Sequence, residues 1–311
     1  MGQIPSILSE LAPPKPKFTA ENVPDMTGKV VLVTGANAGI GKETARVLLT
    51  KNAKVWIGCR DVGKGEVAIK DLKDRTGREA HLLKLNLANL RSIKESAESF
   101  LSEETQLHVL FNNAGVMNPP VEQLTEDGYD LQFGTNVLGH FYLTNLLLPL
   151  LLSTARSSPD GTVRVVNTSS NGHWFSGLDF DTFKDSPKRR AKNQVALYGQ
   201  SKTGNIVFSA ELHRRYRDQG IVSTSLNPGG IRTELQRHQG GFVQWISSIL
   251  LYDVSYGAIT QLYAGTSPDA VSLGGEYLIP WARIGKPRAD TQDPQLGREL
   301  WTYMEEQVAN L

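Results

Sequence analysis

From Lys29 onward, short runs of β-branched and aliphatic residues alternate with longer stretches of helical periodicity, the pattern of βαβ units feeding a parallel sheet. Seven runs read as strands, at 29–34, 54–59, 80–85, 107–112, 162–168, 221–226 and 276–279. Several are apolar at nearly every position, as strands covered on both faces must be. Helical stretches lie between them, notably 39–52, 89–104, 134–154 and 196–217. The pattern predicts an α/β fold: one doubly wound, parallel, seven-stranded sheet with helices on both faces. A single domain, 27–311, takes in all of it. Residues 1–26, with Pro13, Pro14 and Pro16, read as an N-terminal arm, and the polar stretch 179–193, with Lys188, Arg189 and Arg190, as a solvated loop.

Charge changes little in this picture. The chain's 33 Lys and Arg offset 32 Asp and Glu, a net +1, so no nucleic-acid partner is indicated. The single cysteine, Cys59, excludes an intrachain disulfide and fits a reducing compartment, so a cytoplasmic location is expected. No Cys/His cluster suggests a metal, and the histidines read as structural. The greasiest run, Leu146 to Leu152, is far short of the roughly 20 residues that cross a bilayer and reads as a buried helix. A basic n-region is lacking and Glu10 interrupts the first apolar stretch, which argues against a signal peptide. Met1-Gly2-Gln3-Ile4-Pro5-Ser6 fits the N-myristoylation pattern, making the arm a candidate for peripheral membrane contact. The competing reading makes Ile4, Ile7, Leu8 and Leu11 one short helical face packed on the body.

Thr34-Gly35-Ala36-Asn37-Ala38-Gly39-Ile40-Gly41 follows the first strand and opens a helix. Glycines there permit a tight turn and let backbone N–H groups approach a pyrophosphate, whose charge a helix N-terminus stabilises. The strand before, the helix after and a second strand ending about 20 residues on supply the context of a dinucleotide site.

The G-x-x-x-G-x-G spacing resembles the short-chain dehydrogenase/reductase superfamily, and further matches occur in that family's order. Asn112-Asn113-Ala114-Gly115 ends the fourth strand, Asn136 lies early in the next helix, and Ser169-Ser170 ends the fifth strand. Tyr198-Gly199-Gln200-Ser201-Lys202 opens a helix, and Asn227-Pro228-Gly229-Gly230-Ile231-Arg232-Thr233 follows the sixth strand. Val23-Pro24-Asp25, Cys59-Arg60-Asp61 and a long gap before the tyrosine make the chain most similar to retinol-dehydrogenase-like and fungal members. The resemblance implies a Rossmann fold. Every motif sits at the carboxyl end of an expected strand, where open parallel sheets bind ligands.

Tyr198 and Lys202 are four apart on a helix and so share a face. A neighbouring ammonium favours phenolate, which predicts a tyrosine pKa pulled down toward the working range of a general acid/base. The resemblance implies that Lys202 also holds the nicotinamide ribose, that Ser170 rather than Ser169 bonds the substrate oxygen, and that Asn136 completes a catalytic tetrad by holding a proton-relaying water. Arg60 lies where a cation meets the 2′-phosphate of NADP, and Cys59 replaces the Asp of NAD-preferring members. Asn86 stands where the family places an Asp for the adenine amine. The implied cofactor set comprises Gly35, Asn37, Gly39, Ile40, Gly41, Arg60, Asn86, Leu87, Asn113, Ala114, Gly115, Tyr198, Lys202, Pro228, Gly229, Ile231 and Thr233.

Beyond Thr233, Phe242, Trp245, Ile246, Ile249 and Leu250 recur at helical spacing behind a Gly240-Gly241 hinge, which predicts a lid over about 234–255. With Trp174 and Phe175 in the insertion before Tyr198, Phe242 and Trp245 would line a pocket for a bulky lipophilic alcohol or carbonyl. Phe141, Leu143, Leu146, Leu147, Leu150 and Leu151 make one helix apolar nearly all round, as in a helix-paired homodimer of the family. The expected activity is NADP-dependent oxidoreduction of a lipophilic alcohol and its ketone or aldehyde. Two alternatives are a regulatory or scaffold protein that binds the dinucleotide without turnover, and a membrane-associated lipid, steroid or retinoid reductase.

Overall fold

A computed structural model describes residues 9–10, 12–231 and 251–311. The chain runs β1 (Val30–Thr34), α1 (Gly39–Thr50), β2 (Lys54–Cys59), α2 (Val62–Thr76), β3 (His81–Lys84), α3 (Leu90–Glu103) and β4 (Val109–Asn112). It continues through the long helix α4 (Leu131–Ser157), β5 (Val163–Thr168), α5 (Gln194–Tyr216), β6 (Ile221–Leu226), α6 (Val254–Thr266), β7 (Tyr277–Ile279), β8 (Arg283–Gly285) and α7 (Pro294–Val308). The sheet order is β3-β2-β1-β4-β5-β6-β7-β8, parallel through β7. The eighth strand corrects the expected seven: β8 is a three-residue antiparallel edge whose Ile284 faces solvent, so no apolar run announced it.

Strand order reverses between β1 and β4, which opens a crevice above their carboxyl ends. Two apolar layers sandwich the sheet. One gathers α3, α4, α5 and α7 around Phe100, Phe141, Phe208 and Trp301, and the other gathers α1, α2 and α6 around Leu48, Leu72 and Leu262. Each such side chain contributes about 1.5–3 kcal/mol by leaving water.

Helix α4 is long and apolar enough to span a bilayer, yet most of it is buried inside the fold. Phe141 meets Trp301 of α7 edge-on at 5.1 Å. Phe141, Leu143, Leu147, Leu150 and Leu151 are all buried within the one chain, and Leu146 is half-buried. Most of the apolar circumference expected to pair in a homodimer is therefore covered within the chain itself.

The stretch 179–193 is also not simply solvated. Phe183 stacks on Phe133 at 3.8 Å, and Arg189, 1% exposed, reaches Asp130 at 3.1 Å and the carbonyls of Val121 and Gln123. Asp130 caps the start of α4 through the N–H groups of Gln132 and Phe133. The buried guanidinium neutralises that cap, because an unpaired carboxylate there would be costly.

The arm lies on the body where it is described. Val23 and Met26 are buried, Phe18 packs on Tyr263 at 5.2 Å, and Glu10 is buried. Gly2, Ile4, Ser6, Ile7, Leu8 and Leu11 lie outside the described residues.

Candidate active site

Gly35 turns the chain out of β1 with φ of +68°, and a Cβ there would stand 2.8 Å from the Ala114 Cα. A Cβ on Gly41 would stand 2.5 Å from Asn113 Nδ2. The two glycines thus let this turn pack against the Asn113-Ala114-Gly115 turn. Thr34 Oγ1 accepts from the N–H groups of Asn113 and Ala114, both at 2.9 Å, and Asn113 Nδ2 donates to the Thr34 carbonyl at 2.8 Å. Helix α1 then starts without a capping side chain or an acidic residue in its first turn. Its opening N–H groups lack intrahelical partners and its dipole favours an anion.

A cleft of about 730 Å³ runs from this turn across the carboxyl ends of the strands. Every described residue of the implied cofactor set, from Gly35 to Ile231, lines it. Thr233, Phe242 and Trp245 lie outside the described residues, as does most of the expected lid. The end of that lid segment is described: Tyr252 N donates to the Gly230 carbonyl at 2.9 Å, and Asp253 caps α6.

At the adenosine end expected from the resemblance, Arg60 is exposed and Cys59 buried. Lys64, which the sequence reading missed, also lines the cleft. Its signal was a second cation one helical turn beyond Arg60. Asp61 is occupied as the cap of α2, accepting from Lys64 N at 3.0 Å. Asn86 Oδ1 accepts from Ala88 N at 3.2 Å while its Nδ2 donates to Glu126, 40 residues on, so both ends of its amide already have partners.

At the other end, β5 delivers Ser169 and Ser170. Ser169 Oγ donates to the Lys202 carbonyl at 2.7 Å and so holds the backbone of α5. Ser170 Oγ accepts from Gly172 N at 3.1 Å and donates to Asn171 Oδ1 at 3.1 Å, and it stands close enough to the Tyr198 hydroxyl to pull that group's pKa down. Gly172 is needed here, since a Cβ would stand 2.8 Å from the Tyr198 ring. Lys202 Nζ sits 5.7 Å from the centre of that ring and donates to the Thr168 carbonyl at 2.9 Å.

The electrostatics correct the expected tyrosine shift. Burial pushes the Tyr198 phenol up to about 12, with only the Ser170 hydrogen bond pulling it back, and burial drives Lys202 down to about 8. Among the described residues no carboxylate acts on the ammonium, so lost hydration governs both groups.

Asn136 sits in a π-helical turn, Gly134–Leu138, inside α4. Its Oδ1 accepts from Val116 N at 2.8 Å, and its Nδ2 donates to Val116 O and Ser201 Oγ. His140 Nδ1 donates to its carbonyl at 3.0 Å. The side chain lies behind Gly115 rather than on the cleft wall, tying that turn to α5. His140 and His173 are buried and held down to about 4 by lost hydration, so both are neutral struts. Among the described residues no three His, Cys, Asp or Glu gather as a metal site.

Trp174 and Phe175 do not line the cleft, contrary to expectation. The 3-10 turn Asn171–Phe175 tucks His173 into the core, aims Trp174 Nε1 at Glu10 (3.3 Å) and leaves Phe175 68% exposed. The apolar side chains that do line the cleft include Val116, Met117, Pro119, Leu131 and Leu251. None of these carries a motif, which is why the sequence reading passed over them.

Comparison with known proteins agrees with this geometry. The short chain dehydrogenase family model matches residues 29–177. A short-chain dehydrogenase/reductase of Armillaria gallica is 54% identical over 307 residues, 99% of each chain. Human retinol dehydrogenase 11 is 37% identical over 96% of this chain and 92% of its own. Among solved structures, an uncharacterized protein of Mycobacterium paratuberculosis superposes with a TM-score of 0.73 at 30% identity, over 94% of this chain and 97% of its own. Pseudomonas aeruginosa RhlG, solved as an NADP active-site complex, shares the fold with a TM-score of 0.66 at 23% identity, over 82% of this chain and 95% of its own. With full-length relatives at this identity and the motif residues converging on one cleft, the chain belongs to the short-chain dehydrogenase/reductase family.

Proposed function

We propose that this oxidoreductase is NADP-dependent and interconverts a lipophilic alcohol with its ketone or aldehyde. The observation that carries the reading is the placement of Ser170, Tyr198 and Lys202 at one end of a cleft whose other end holds the uncapped start of α1, Arg60 and Lys64. A dinucleotide phosphate fits this donor set. The glycine turn and the first N–H groups of α1 suit the pyrophosphate, Arg60 and Lys64 the 2′-phosphate, and Lys202, Pro228, Gly229 and Ile231 the nicotinamide end. Bound there, the cofactor supplies or accepts the hydride.

The chain's own groups handle the proton and the developing charge. At neutral pH Tyr198 holds its proton, as a donor to a carbonyl oxygen must. In reduction it gives that proton to the oxygen as the carbon takes the hydride; in oxidation it takes the proton back from the alcohol. Ser170 donates to the same oxygen and stabilises its negative charge. Lys202 supplies a buried positive charge beneath the tyrosine ring. The Val116, Met117, Pro119 and Leu131 side chains of the cleft favour a lipophilic substrate over a sugar or hydroxy acid. The test is NADPH oxidation over aromatic, terpenoid, steroid and retinoid carbonyls. Turnover of at least one class, faster with NADPH than with NADH, supports the reading; turnover of sugars or hydroxy acids alone contradicts it.

A further inference from the structure

Glu10 breaks the apolar pattern at the start of the chain, and it is only 2% exposed. Three side chains converge on its carboxylate. Asn227 Nδ2 donates to Oε2 at 2.8 Å, the Tyr277 hydroxyl donates to Oε2 at 3.1 Å, and Trp174 Nε1 donates to Oε1 at 3.3 Å. Arg283 stands close by and binds the neighbouring Ser9 through its carbonyl and hydroxyl. Burial raises the Glu10 pKa, and the three donors with Arg283 pull it back.

The donors come from three separate segments, two of which lead directly to the cleft. Asn227 precedes Pro228-Gly229, and its Oδ1 accepts from Gly229 N at 3.0 Å. Trp174 belongs to the turn that Ser170 opens. In that same turn His173 donates to the Ser170 carbonyl at 2.7 Å and lies 3.5 Å from the Tyr277 hydroxyl. Glu10 itself does not line the cleft. A buried carboxylate is costly to keep, and an apolar residue would anchor a terminal segment more cheaply. What the carboxylate adds is direction: two acceptor oxygens fix three donors relative to one another.

We propose that Glu10 is a positioning residue of the active site, holding the Ser170 turn and the Asn227-Pro228-Gly229 turn in register from behind the cleft. The inference rests on the oxidoreductase reading above and extends the functional machinery to the N-terminal segment.

The experiment compares the full-length wild type with Glu10→Ala and Glu10→Gln, measuring melting temperature, the NADPH dissociation constant, kcat and KM. Displacing a reacting group by about 1 Å can cost up to about 100-fold, so Glu10→Ala should remain folded and lose about 10- to 100-fold in kcat. NADPH affinity should weaken several-fold through Gly229. Glu10→Gln keeps one acceptor oxygen and should recover part of both losses. A lower melting temperature with unchanged kcat and NADPH affinity would make Glu10 a structural anchor and overturn the proposal. Should Glu10→Ala not fold, Glu10→Gln and Trp174→Phe decide by the same measure: reduced kcat in both supports it, unchanged kcat in both overturns it. If the wild type turns over no carbonyl, the oxidoreductase reading fails by itself. Glu10 is then judged on NADPH affinity alone, weakened if the proposal is right and unchanged if it is wrong.

Discussion

Lys202 holds its ammonium over the face of the Tyr198 ring, 5.7 Å from its centre, and spends a hydrogen bond on the Thr168 carbonyl rather than on the phenol. Burial separates the two groups, leaving Tyr198 protonated up to about 12 and Lys202 titrating near 8. The basic limb of carbonyl reduction should therefore follow Lys202. With a saturating carbonyl, activity should fall as pH rises through about 8, and Lys202→Arg, which stays charged, should move that limb to higher pH in whatever activity remains. A pH–rate profile of the two proteins checks this.

Arg60 and Lys64 line the same end of the cleft, next to a Cys59 that leaves no carboxylate at the end of β2. Arg60→Ala should weaken NADPH by about 10- to 100-fold, the loss of one charge-assisted hydrogen bond of about 1.5–3 kcal/mol, and NADH hardly at all. Titration of both cofactors into both proteins measures the difference. Equal losses would remove Arg60 from the 2′-phosphate site.

Gly28 and Gly35 share a positive φ, +77° and +68°, but only Gly35 has a neighbour in the way. Gly28→Ala should cost about 1 kcal/mol of backbone strain and leave cofactor binding intact. Gly35→Ala meets the Ala114 backbone as well, so it should destabilise further and abolish measurable NADPH binding. Chemical denaturation alongside cofactor titration separates the two effects.

His140 and His173 are neutral in the fold, with pKa values near 4 against 6.5 for an open chain. The unfolded chain takes up protons first as pH falls, so the stability these groups leave intact above 6.5 is lost progressively down to about 4. Each contributes a slope of up to about 1.4 kcal/mol per pH unit in that window. Glu10 and Asp130 run the other way, because their folded pKa values are raised and their contribution weakens as pH rises. Urea denaturation at pH 7 and pH 5 should show a marked drop, and His140→Gln should flatten it.

Much of the site was legible because its chemistry dictates residue type at fixed places. Gly35 and Gly41 have no room for a Cβ, and Ser170, Tyr198 and Lys202 occur at strand ends and on a helix face that pattern alone could locate. What stayed hidden depends on partners distant in sequence. Trp174 turns away from the cleft because Glu10, 164 residues earlier, accepts its indole N–H. Arg189 looked like surface charge until Asp130 and two carbonyls enclosed it. In the apolar helix α4 nothing local reveals that Phe141 meets Trp301 of α7 or that most of its apolar positions are buried within the chain. The direction of the Tyr198 shift was missed for the same reason, since proximity to Lys202 could be counted in the sequence and burial could not.

The most direct test of Tyr198 as the proton donor compares wild type and Tyr198→Phe in NADPH-dependent reduction of a lipophilic carbonyl, with NADPH affinity and melting temperature measured on the same samples. Phenylalanine removes only the hydroxyl, so the account predicts an intact fold, NADPH affinity within a few-fold of wild type, and kcat lower by about 10²–10⁴-fold or more. A folded Tyr198→Phe protein that binds NADPH and keeps near-normal kcat would contradict it.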